Sequence, residues 1–413
     1  MMRRCLAAAA VVVFAWSAAS PGEAPVQLGE PTELLKLPKD QVPPITFARP
    51  IVRVSPDAKQ LLYIRMYGGG KAKLHLRTVG DPRSDGPVVW DEPIPTLYCR
   101  MSFAGYAWRA DGQRVLFCQE PAKGEDGYVQ GVFGRRMRPW HMCYDLPNPQ
   151  FTSCRHMRLD GATGCTSLSY SPDGGKLWTA FSDPKGFKVC GITGPKAGGR
   201  PTYQVLYRRT GAAIYHLVPS PDGKYLAWVE TYPRKSGSPR RGPDLVVFDV
   251  AKRRARLRLA LSPDIPGWLD AQPPVWMPDS GTVCYGDVTR TRGIWRREAG
   301  TVKIGREDPK PLVRDALAVG AVAEGVVLNR GPACIPMRQG LSSEAPVGSG
   351  ADLPRSNDVV FCDPASKGTF VTLVPNASAQ HVSGRHVVYA QVSGGDVLVL
   401  RAEIKRPKAK PVP

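Results

Sequence analysis

The sequence predicts an all-β fold built from repeated antiparallel sheets, and three observations predict it. A tight turn that contains Asp is followed by an apolar strand five times along the chain, at Asp57, Asp111, Asp173, Asp222 and Asp279. Successive turns lie roughly 50 to 60 residues apart, which is enough for one four-stranded sheet per repeat. Helical periodicity is almost absent. A ring of such sheets is a β-propeller, and we expect one here.

The fourth turn is the most complete copy of the repeat. Ser220 to Lys224 reads Ser-Pro-Asp-Gly-Lys and precedes the apolar run Tyr225 to Val229. Pro presets the first turn residue, the Asp side chain can accept hydrogen bonds from the nearby backbone, and Gly tolerates a positive φ. Each copy is therefore expected to form the tip of a β-hairpin.

Two weaker turns extend the series, around Glu324 and at Val382 to Arg385. They bring the expected number of four-stranded blades to seven, and the alternative is six blades with the Glu324 region as an insertion. The last repeat provides a third strand, Asp396 to Arg401, but no fourth. Because an open sheet edge invites aggregation, we expect the N-terminal segment Thr32 to Leu37 to complete this blade and close the ring.

The turn motif resembles the WD40-like repeat of the TolB-type β-propeller family, and Ser220 to Lys224 matches that repeat residue for residue. The resemblance extends from about Pro44 to Ile404. It implies a propeller, and it implies a binding scaffold or a gating domain of a peptidase, which are the roles of such repeats in the family. Only a short segment precedes the first repeat, so we expect no amino-terminal domain of the TolB kind.

The first residues have the pattern of a secretory signal peptide. Arg3 and Arg4 precede an apolar run from Leu6 to Trp16, and small residues follow up to Ala19. We therefore expect a signal peptide at 1–19, a β-propeller at 20–404 and a basic Pro/Lys-rich tail at 405–413. The protein is expected to be periplasmic or secreted, without a membrane span after cleavage, and monomeric. A retained N-terminal anchor is the alternative.

Charge is the strongest indication of a partner. The chain has 56 Lys and Arg against 36 Asp and Glu, a net charge of +20. Such a surface attracts polyanions, and for an exported protein these are acidic proteins or acidic polymers of the cell envelope rather than nucleic acid. A merely solvated basic surface is the alternative. Arg254, Arg256 and Arg258 alternate with apolar residues, so they are expected to project from one face of an outer strand.

One basic cluster is accompanied by an aromatic residue on a long connection. Arg135, Arg136 and Arg138 precede Trp140, and we predict that these four residues bind the acidic partner. Trp268, which follows a Pro-rich turn, is a second candidate, because aromatic residues near arginine are common in binding surfaces.

Nine cysteines remain once Cys5 is removed with the signal peptide, and export permits disulfides. Cys334 and Cys362 flank the longest loop and are the first predicted pair. Cys143 and Cys154 flank a Pro-Asn-Pro turn and are the second, with Cys118 as a competing partner for Cys143.

The same turn offers a formal set of metal ligands, His141, Cys143, Cys154 and His156. Four ligands on one flat strand pair fit poorly around a tetrahedral zinc ion, so a disulfide or plain packing is favoured. We expect no metal and no other cofactor.

Sequence motifs of catalysis are absent, including the G-x-S-x-G and H-E-x-x-H patterns. We therefore favour a non-enzymatic propeller that binds through loops at the ring face. The alternative is a hydrolase or lyase that acts on polysaccharide or peptide at the channel mouth. Its candidate residues come from different repeats and cannot be brought together from sequence: Asp91, Glu92, His216, Asp270 and His381.

Overall fold

In the computed structural model, the chain is described over most of its repeats. The described residues are 26–42, 52–67, 71–81, 88–93, 106–109, 111–112, 114–119, 140–145, 151–153, 164–183, 185–193, 202–232, 241–263, 272–291, 294–306, 308–331, 357–365 and 369–406.

The described strands form seven antiparallel sheets, which we number along the chain. Two strands precede the first sheet and belong to the last one: β1 (Gln27–Leu28) and β2 (Thr32–Pro38). Sheet 1 contains β3 (Val52–Val54), β4 (Gln60–Tyr67), β5 (Lys71–Thr78) and β6 (Val88–Pro93). Sheet 2 contains β7 (Tyr106–Trp108), β8 (Arg114–Gln119), β9 (Trp140–Asp145) and β10 (Phe151–Ser153). Sheet 3 contains β11 (Gly164–Tyr170), β12 (Lys176–Asp183), β13 (Gly186–Thr193) and β14 (Thr202–Arg209).

The remaining sheets follow the same order of strands. Sheet 4 contains β15 (Ala213–Pro219), β16 (Tyr225–Thr231), β17 (Asp244–Asp249) and β18 (Arg254–Ala260). Sheet 5 contains β19 (Val275–Trp276), β20 (Thr282–Thr291), β21 (Ile294–Lys303) and β22 (Lys310–Arg314). Sheet 6 contains β23 (Ala316–Val322), β24 (Gly325–Arg330), β25 (Asp358–Cys362) and β26 (Val371–Val374). Sheet 7 adds β27 (Ala377–Ser383), β28 (His386–Ser393) and β29 (Asp396–Lys405) to β1 and β2.

The chain is thus all-β, with the four-stranded antiparallel sheets of a β-propeller, as predicted. In sheet 7, β2 pairs with β29 from Thr32 opposite Arg401 to Pro38 opposite Asp396. This is the pairing expected between the two segments. The blade count and the closure of the ring stay predictions.

The core lies between neighbouring sheets. Trp178 of sheet 3 packs with Trp228 and Phe248 of sheet 4 in one apolar cluster, and further clusters join sheets 4 and 5, 5 and 6, 6 and 7, and 7 and 1. Strands in such a stack are covered on both faces, which is why every residue of β17 is buried.

The Asp turns have the predicted chemistry. In sheet 4, Ser220 Oγ donates to Asp222 Oδ1 at 2.7 Å, and Asp222 Oδ1 accepts the backbone N–H of Lys224 at 3.1 Å. Gly223 has a φ of 71°, a conformation that favours glycine. The same bonds from Ser to Asp occur at Asp57 and Asp173.

The turns of neighbouring sheets also touch one another. The backbone N–H of Asp222 donates to Ser280 Oγ at 3.1 Å, which joins the turns of sheets 4 and 5. The weak turn at Glu324 forms an ion pair of 2.8 Å with Arg385, which joins sheets 6 and 7. The turn motif therefore links sheets as well as strands.

The first strands of several sheets contain bulges, and side chains of neighbouring sheets supply the missing hydrogen bonds. The bulge in β15 includes Leu217, whose N–H donates to Ser167 Oγ of sheet 3 at 2.8 Å. Beside the bulge in β27, the N–H of Ala379 donates to Asn329 Oδ1 of sheet 6 at 2.6 Å. A buried N–H left without an acceptor is costly, so these contacts fix sheet 4 against sheet 3 and sheet 7 against sheet 6.

Candidate functional site

The sheets have two different ends. At the Asp-turn end, the tight turns join the first and second strands of each sheet. At the opposite end, which we call the loop end, the second strand continues into the third. Three of these connections are long, namely 120–139 in sheet 2, 232–243 in sheet 4 and 331–357 in sheet 6, whereas the corresponding connections in the other sheets span two or three residues. Loops of unequal length on a regular scaffold are a common location of binding sites.

The most elaborate polar cluster in the described part of the chain lies at the loop end of sheet 4. Glu230 near the end of β16 and Asp244 at the start of β17 are paired in register, and both are buried. From β18, Arg258 Nη1 donates to Glu230 Oε2 at 2.7 Å and to Asp244 Oδ2 at 2.8 Å. One guanidinium therefore bridges two buried carboxylates.

Aromatic side chains complete the hydrogen bonding of Glu230. Tyr207 of sheet 3 donates its hydroxyl to Oε1 at 2.7 Å, and Trp228 Nε1 donates to the same oxygen at 3.2 Å. The Tyr232 hydroxyl lies 3.1 Å from Oε2 of Glu230 and 2.6 Å from Oδ2 of Asp244. Because Tyr207 belongs to the neighbouring sheet, the cluster ties sheets 3 and 4 together.

Two further residues join the ends of the connection between β16 and β17. Tyr232 begins this connection, and Arg241 lies near its end. The Arg241 guanidinium stacks over the Tyr232 ring at 3.8 Å from the ring centroid, and its Nη2 lies 2.9 Å from Asp244 Oδ2. Residues on either side of the segment 233–240 are thus held together.

Electrostatics keep the cluster charged at neutral pH. Burial opposes ionisation of Glu230, but hydrogen bonds from Arg258 and Tyr207 lower its pKa below the usual value. Burial and the hydrogen bond to Glu230 raise the pKa of Tyr207 to about 12. Burial and the hydrogen bond to Asp244 likewise raise the pKa of Tyr232 above its usual value. For Arg258, burial is outweighed by the two carboxylates, which raise its pKa. These shifts favour the ionised form of Glu230 and the protonated forms of Tyr207, Tyr232 and Arg258, so the hydrogen bonds act as a brace.

The position of Arg258 corrects an expectation from the sequence. Arg254, Arg256 and Arg258 do not project from one face of β18, because the strand contains a bulge. Leu257 pairs with Val247, but Ala255 pairs with Phe248, so Arg256 is the extra residue. The bulge reverses the alternation, and Arg258 faces sheet 3 whereas Arg254 faces the other side.

The predicted binding residues fall mostly outside the described residues. Arg135, Arg136, Arg138 and Trp268 lie there, and Trp140 is described only as the first residue of β9, opposite Gln119. Their role in binding stays a prediction.

The formal metal ligands are placed in part. His141 pairs with Cys118, and Cys143 pairs with Thr152, whereas Cys154 and His156 lie outside the described residues. Within the described residues, no group of three His, Cys, Asp or Glu side chains could hold a metal ion. The Cys143–Cys154 disulfide stays a prediction.

Cys362 is fully buried at the end of β25. Its thiol lies 3.6 Å from the carbonyl oxygen of Asp363, and it shares the core between sheets 5 and 6 with Cys284. Burial raises the pKa of the Cys284 thiol, with the nearby Cys362 adding to the effect. Cys334 lies outside the described residues, so its disulfide with Cys362 stays a prediction.

The described candidates for a catalytic alternative lie on three different sheets. His216 lies in the bulge of β15 with a φ of 58°, and His381 lies in β27 of sheet 7. Burial and the nearby charge of Arg53 lower the pKa of His381 to about 3. Asp91 and Glu92 belong to β6 of sheet 1, and Asp270 lies outside the described residues.

Sequence reasoning missed the braced cluster, although part of its signal was present. Glu230 and Asp244 each border an apolar strand, where a carboxylate that shares the strand's burial needs a partner. The partner could not be found, since alternation along β18 gives the wrong direction for Arg258 once Arg256 forms a bulge.

Among the described residues, no helix is long and apolar enough to cross a membrane.

Comparisons with known proteins give similarity at the level of fold. No family model matches the chain, and no curated protein matches it. TolB from Acinetobacter baumannii is 17% identical with a TM-score of 0.41, covering 62% of this chain and 52% of its own, so the chain spans about half of that protein. The β-propeller domain of the Trilobed protease from Pyrococcus furiosus is 13% identical with a TM-score of 0.45, covering 74% and 82%. An oligogalacturonate lyase in complex with manganese is 10% identical with a TM-score of 0.40, covering 93% and 98%.

Similarities this distant do not bear on activity, on substrates or on partners. The fold assignment rests on the seven antiparallel sheets and on the Asp turns that begin their second strands. The chain is a β-propeller protein whose repeats resemble those of the TolB type.

Proposed function

We propose that the protein is a non-enzymatic propeller that binds an acidic protein or an anionic polymer at its loop end. The observation that carries the proposal is the brace beneath the connection of sheet 4. Tyr232 and Arg241, on either side of segment 233–240, are stacked on each other and tied to Asp244. A loop whose two ends are fixed loses less conformational entropy when it binds a partner.

The composition of the long connections supports an acidic partner. Segment 233–240 contains Arg234, Lys235 and Arg240 and no acidic residue, and the connection of sheet 2 carries Arg135, Arg136 and Arg138 before Trp140. Both connections leave the sheets at the loop end. The net charge of +20 adds a long-range attraction for polyanions.

The signal-like N-terminus supports export, so the partner is sought in the cell envelope or outside the cell. An acidic envelope protein and an acidic polysaccharide present the same carboxylate chemistry to these arginines.

The experiment measures binding of poly-L-glutamate and of alginate to the full chain over a series of salt concentrations. Both polymers are expected to bind, with affinity that falls as salt is added, because charges are screened beyond about 8 Å at physiological ionic strength. The triple variant R135A/R136A/R138A is expected to bind about tenfold more weakly, since each exposed ion pair contributes about 0.2–1 kcal/mol. Its melting temperature should stay nearly unchanged.

The matched control removes three charges at the opposite end. Lys252, Arg254 and Arg256 are exposed at or near the turn between β17 and β18, which belongs to the Asp-turn end. The variant K252Q/R254Q/R256Q should therefore bind both polymers as the wild type does. Two results would contradict the proposal: polymer binding that does not depend on salt, or polymer binding that is weakened in this control variant and not in R135A/R136A/R138A.

The same samples test the catalytic alternative. A general acid needs a raised pKa, whereas hydrogen bonds from Arg258 and Tyr207 outweigh burial and lower that of Glu230. The polymers are therefore expected to keep their length during prolonged incubation with the protein. Shortened alginate or polyglutamate chains would favour a lyase or hydrolase instead.

A further inference from the structure

A second surface at the loop end lies across sheets 7 and 1. Within the described residues, three large apolar side chains are exposed, namely Tyr67, Val205 and Val392. Tyr67 is the last residue of β4, and Val392 lies beside the turn between β28 and β29. Both are therefore at the loop end, on two sheets that share one apolar cluster.

Tyr67 is exposed yet held in place. Tyr67 is 36% exposed, and its hydroxyl shares a hydrogen bond of 2.8 Å with Nε2 of the buried His75. Arg65 Cζ lies 5.6 Å from the ring centroid, and Lys73 Nζ lies 5.3 Å from it. An exposed aromatic ring fixed in this way binds a partner with little loss of side-chain entropy.

A continuous series of contacts connects this ring with the turn of sheet 7. Arg65 Nε donates to Gln41 Oε1 at 2.8 Å, and Gln41 ends a short 3-10 helix, Lys39–Gln41. The N–H of Lys39 donates to the carbonyl oxygen of Gly395 at 2.9 Å, in the turn that follows Val392. The two exposed apolar residues therefore belong to one surface, which we call the Tyr67 surface.

The charge of the Tyr67 surface favours an acidic partner. Lys39, Arg65 and Lys73 are distributed along it. On the acidic side, Asp40 is exposed beside Lys39, Asp91 is opposite Lys73 in register, and Asp396 forms an ion pair of 2.8 Å with Lys36. Two basic side chains, Arg65 and Lys73, lie against the Tyr67 ring itself, so the surface is basic where the partner would pack.

We propose that the Tyr67 surface binds an acidic protein segment with an apolar or aromatic side chain, which packs on Tyr67 and Val392. Tyr and Arg are among the residue types enriched at the positions that dominate protein interfaces. The inference rests on the proposed function and narrows it, because an anionic polysaccharide has no aromatic or aliphatic side chain to pack on Tyr67 and Val392.

The experiment compares two probes of equal length and at equal salt, poly-L-glutamate and a random copolymer of glutamate and tyrosine. The copolymer is expected to bind the full chain more tightly, by about threefold to tenfold, as expected when an aromatic contact is added. Y67S and V392S should each reduce this difference, while binding of poly-L-glutamate stays unchanged. Y67F should retain it, because the ring remains.

The matched control is V205S, which removes the third exposed apolar side chain, on the outer strand of sheet 3. It should leave the copolymer's advantage intact, and melting temperatures of all variants identify any loss of folding. If neither polymer binds, the proposed function fails. If both bind equally, or if Y67S and V205S act alike, the Tyr67 surface is overturned while polyanion binding stands. Self-association that Y67S abolishes would assign the surface to a second copy and would also overturn the proposal.

Discussion

The two ends of the sheets differ in how they use charge. At the Asp-turn end, carboxylates such as Asp222 accept hydrogen bonds from their own turn and lie near the surface. At the loop end of sheet 4, Glu230 and Asp244 are buried and share the guanidinium of Arg258 from β18, while Arg241 also pairs with Asp244 and Arg209 lies 3.7 Å from Glu230. The difference teaches that the repeated end combines bonds within each turn with single contacts to the next turn, whereas the loop end of sheet 4 is stabilised by a cluster of long-range contacts that no other described sheet shares.

The largest expected effect comes from removing Arg258. R258M removes the cation that bridges two buried carboxylates, leaving Asp244 with Arg241 and Glu230 with Arg209 at 3.7 Å. Because the Arg258 side chain is 32% exposed, the expected cost is about 2–3 kcal/mol, below that of a fully buried pair. Arg256 lies two residues away on the same strand, where it is exposed and is the extra residue of the bulge. R256M should therefore change the free energy of unfolding by less than about 0.5 kcal/mol. Urea unfolding of both variants measures this. Equal effects would show that the brace is not formed.

A smaller effect is expected at the Asp-turn end. D222A removes the acceptor of Ser220 Oγ and of the Lys224 N–H, which should cost about 1 kcal/mol. E324A removes the ion pair with Arg385, whose side chain is 48% exposed, and should cost less. Unfolding by denaturant compares the two variants. A loss at Asp222 as large as that of R258M would erase the proposed difference between the ends.

The smallest effect is expected in acid. Hydrogen bonds from Arg258 and Tyr207 outweigh burial and lower the pKa of Glu230. Its contribution to stability is therefore complete above the unfolded value of about 4.3 and is lost as pH falls through the folded value. Bonds from Ser171 and Gly175 likewise lower the pKa of Asp173, but at an exposed turn.

The free energy of unfolding, measured from pH 6 downward, should fall less steeply in acid for E230Q than for the wild type. D173N should follow the wild type more closely, since its carboxylate is exposed to solvent. A steeper fall for E230Q than for the wild type would contradict the lowered pKa of Glu230.

Much of the fold could be predicted from the sequence, because its signals are local. Ser220 to Lys224 specifies a turn by its own side chains, and the pairing of Thr32 to Leu37 with β29 follows from a sheet that lacks a strand. The braced cluster could not be predicted, because it depends on register. One extra residue at Arg256 turns Arg258 toward sheet 3, and nothing local in the sequence announces a bulge.

The pairing of β2 with β29 has a consequence for how the chain folds. The two strands are separated by almost the whole sequence, so their contact is among the most distant that this chain can make. Closing so long a segment carries an entropic cost, and contacts this distant in sequence slow folding. During synthesis, Thr32 to Pro38 must wait unpaired until the ribosome has released β29. The last strand made therefore decides when the first one becomes part of the structure.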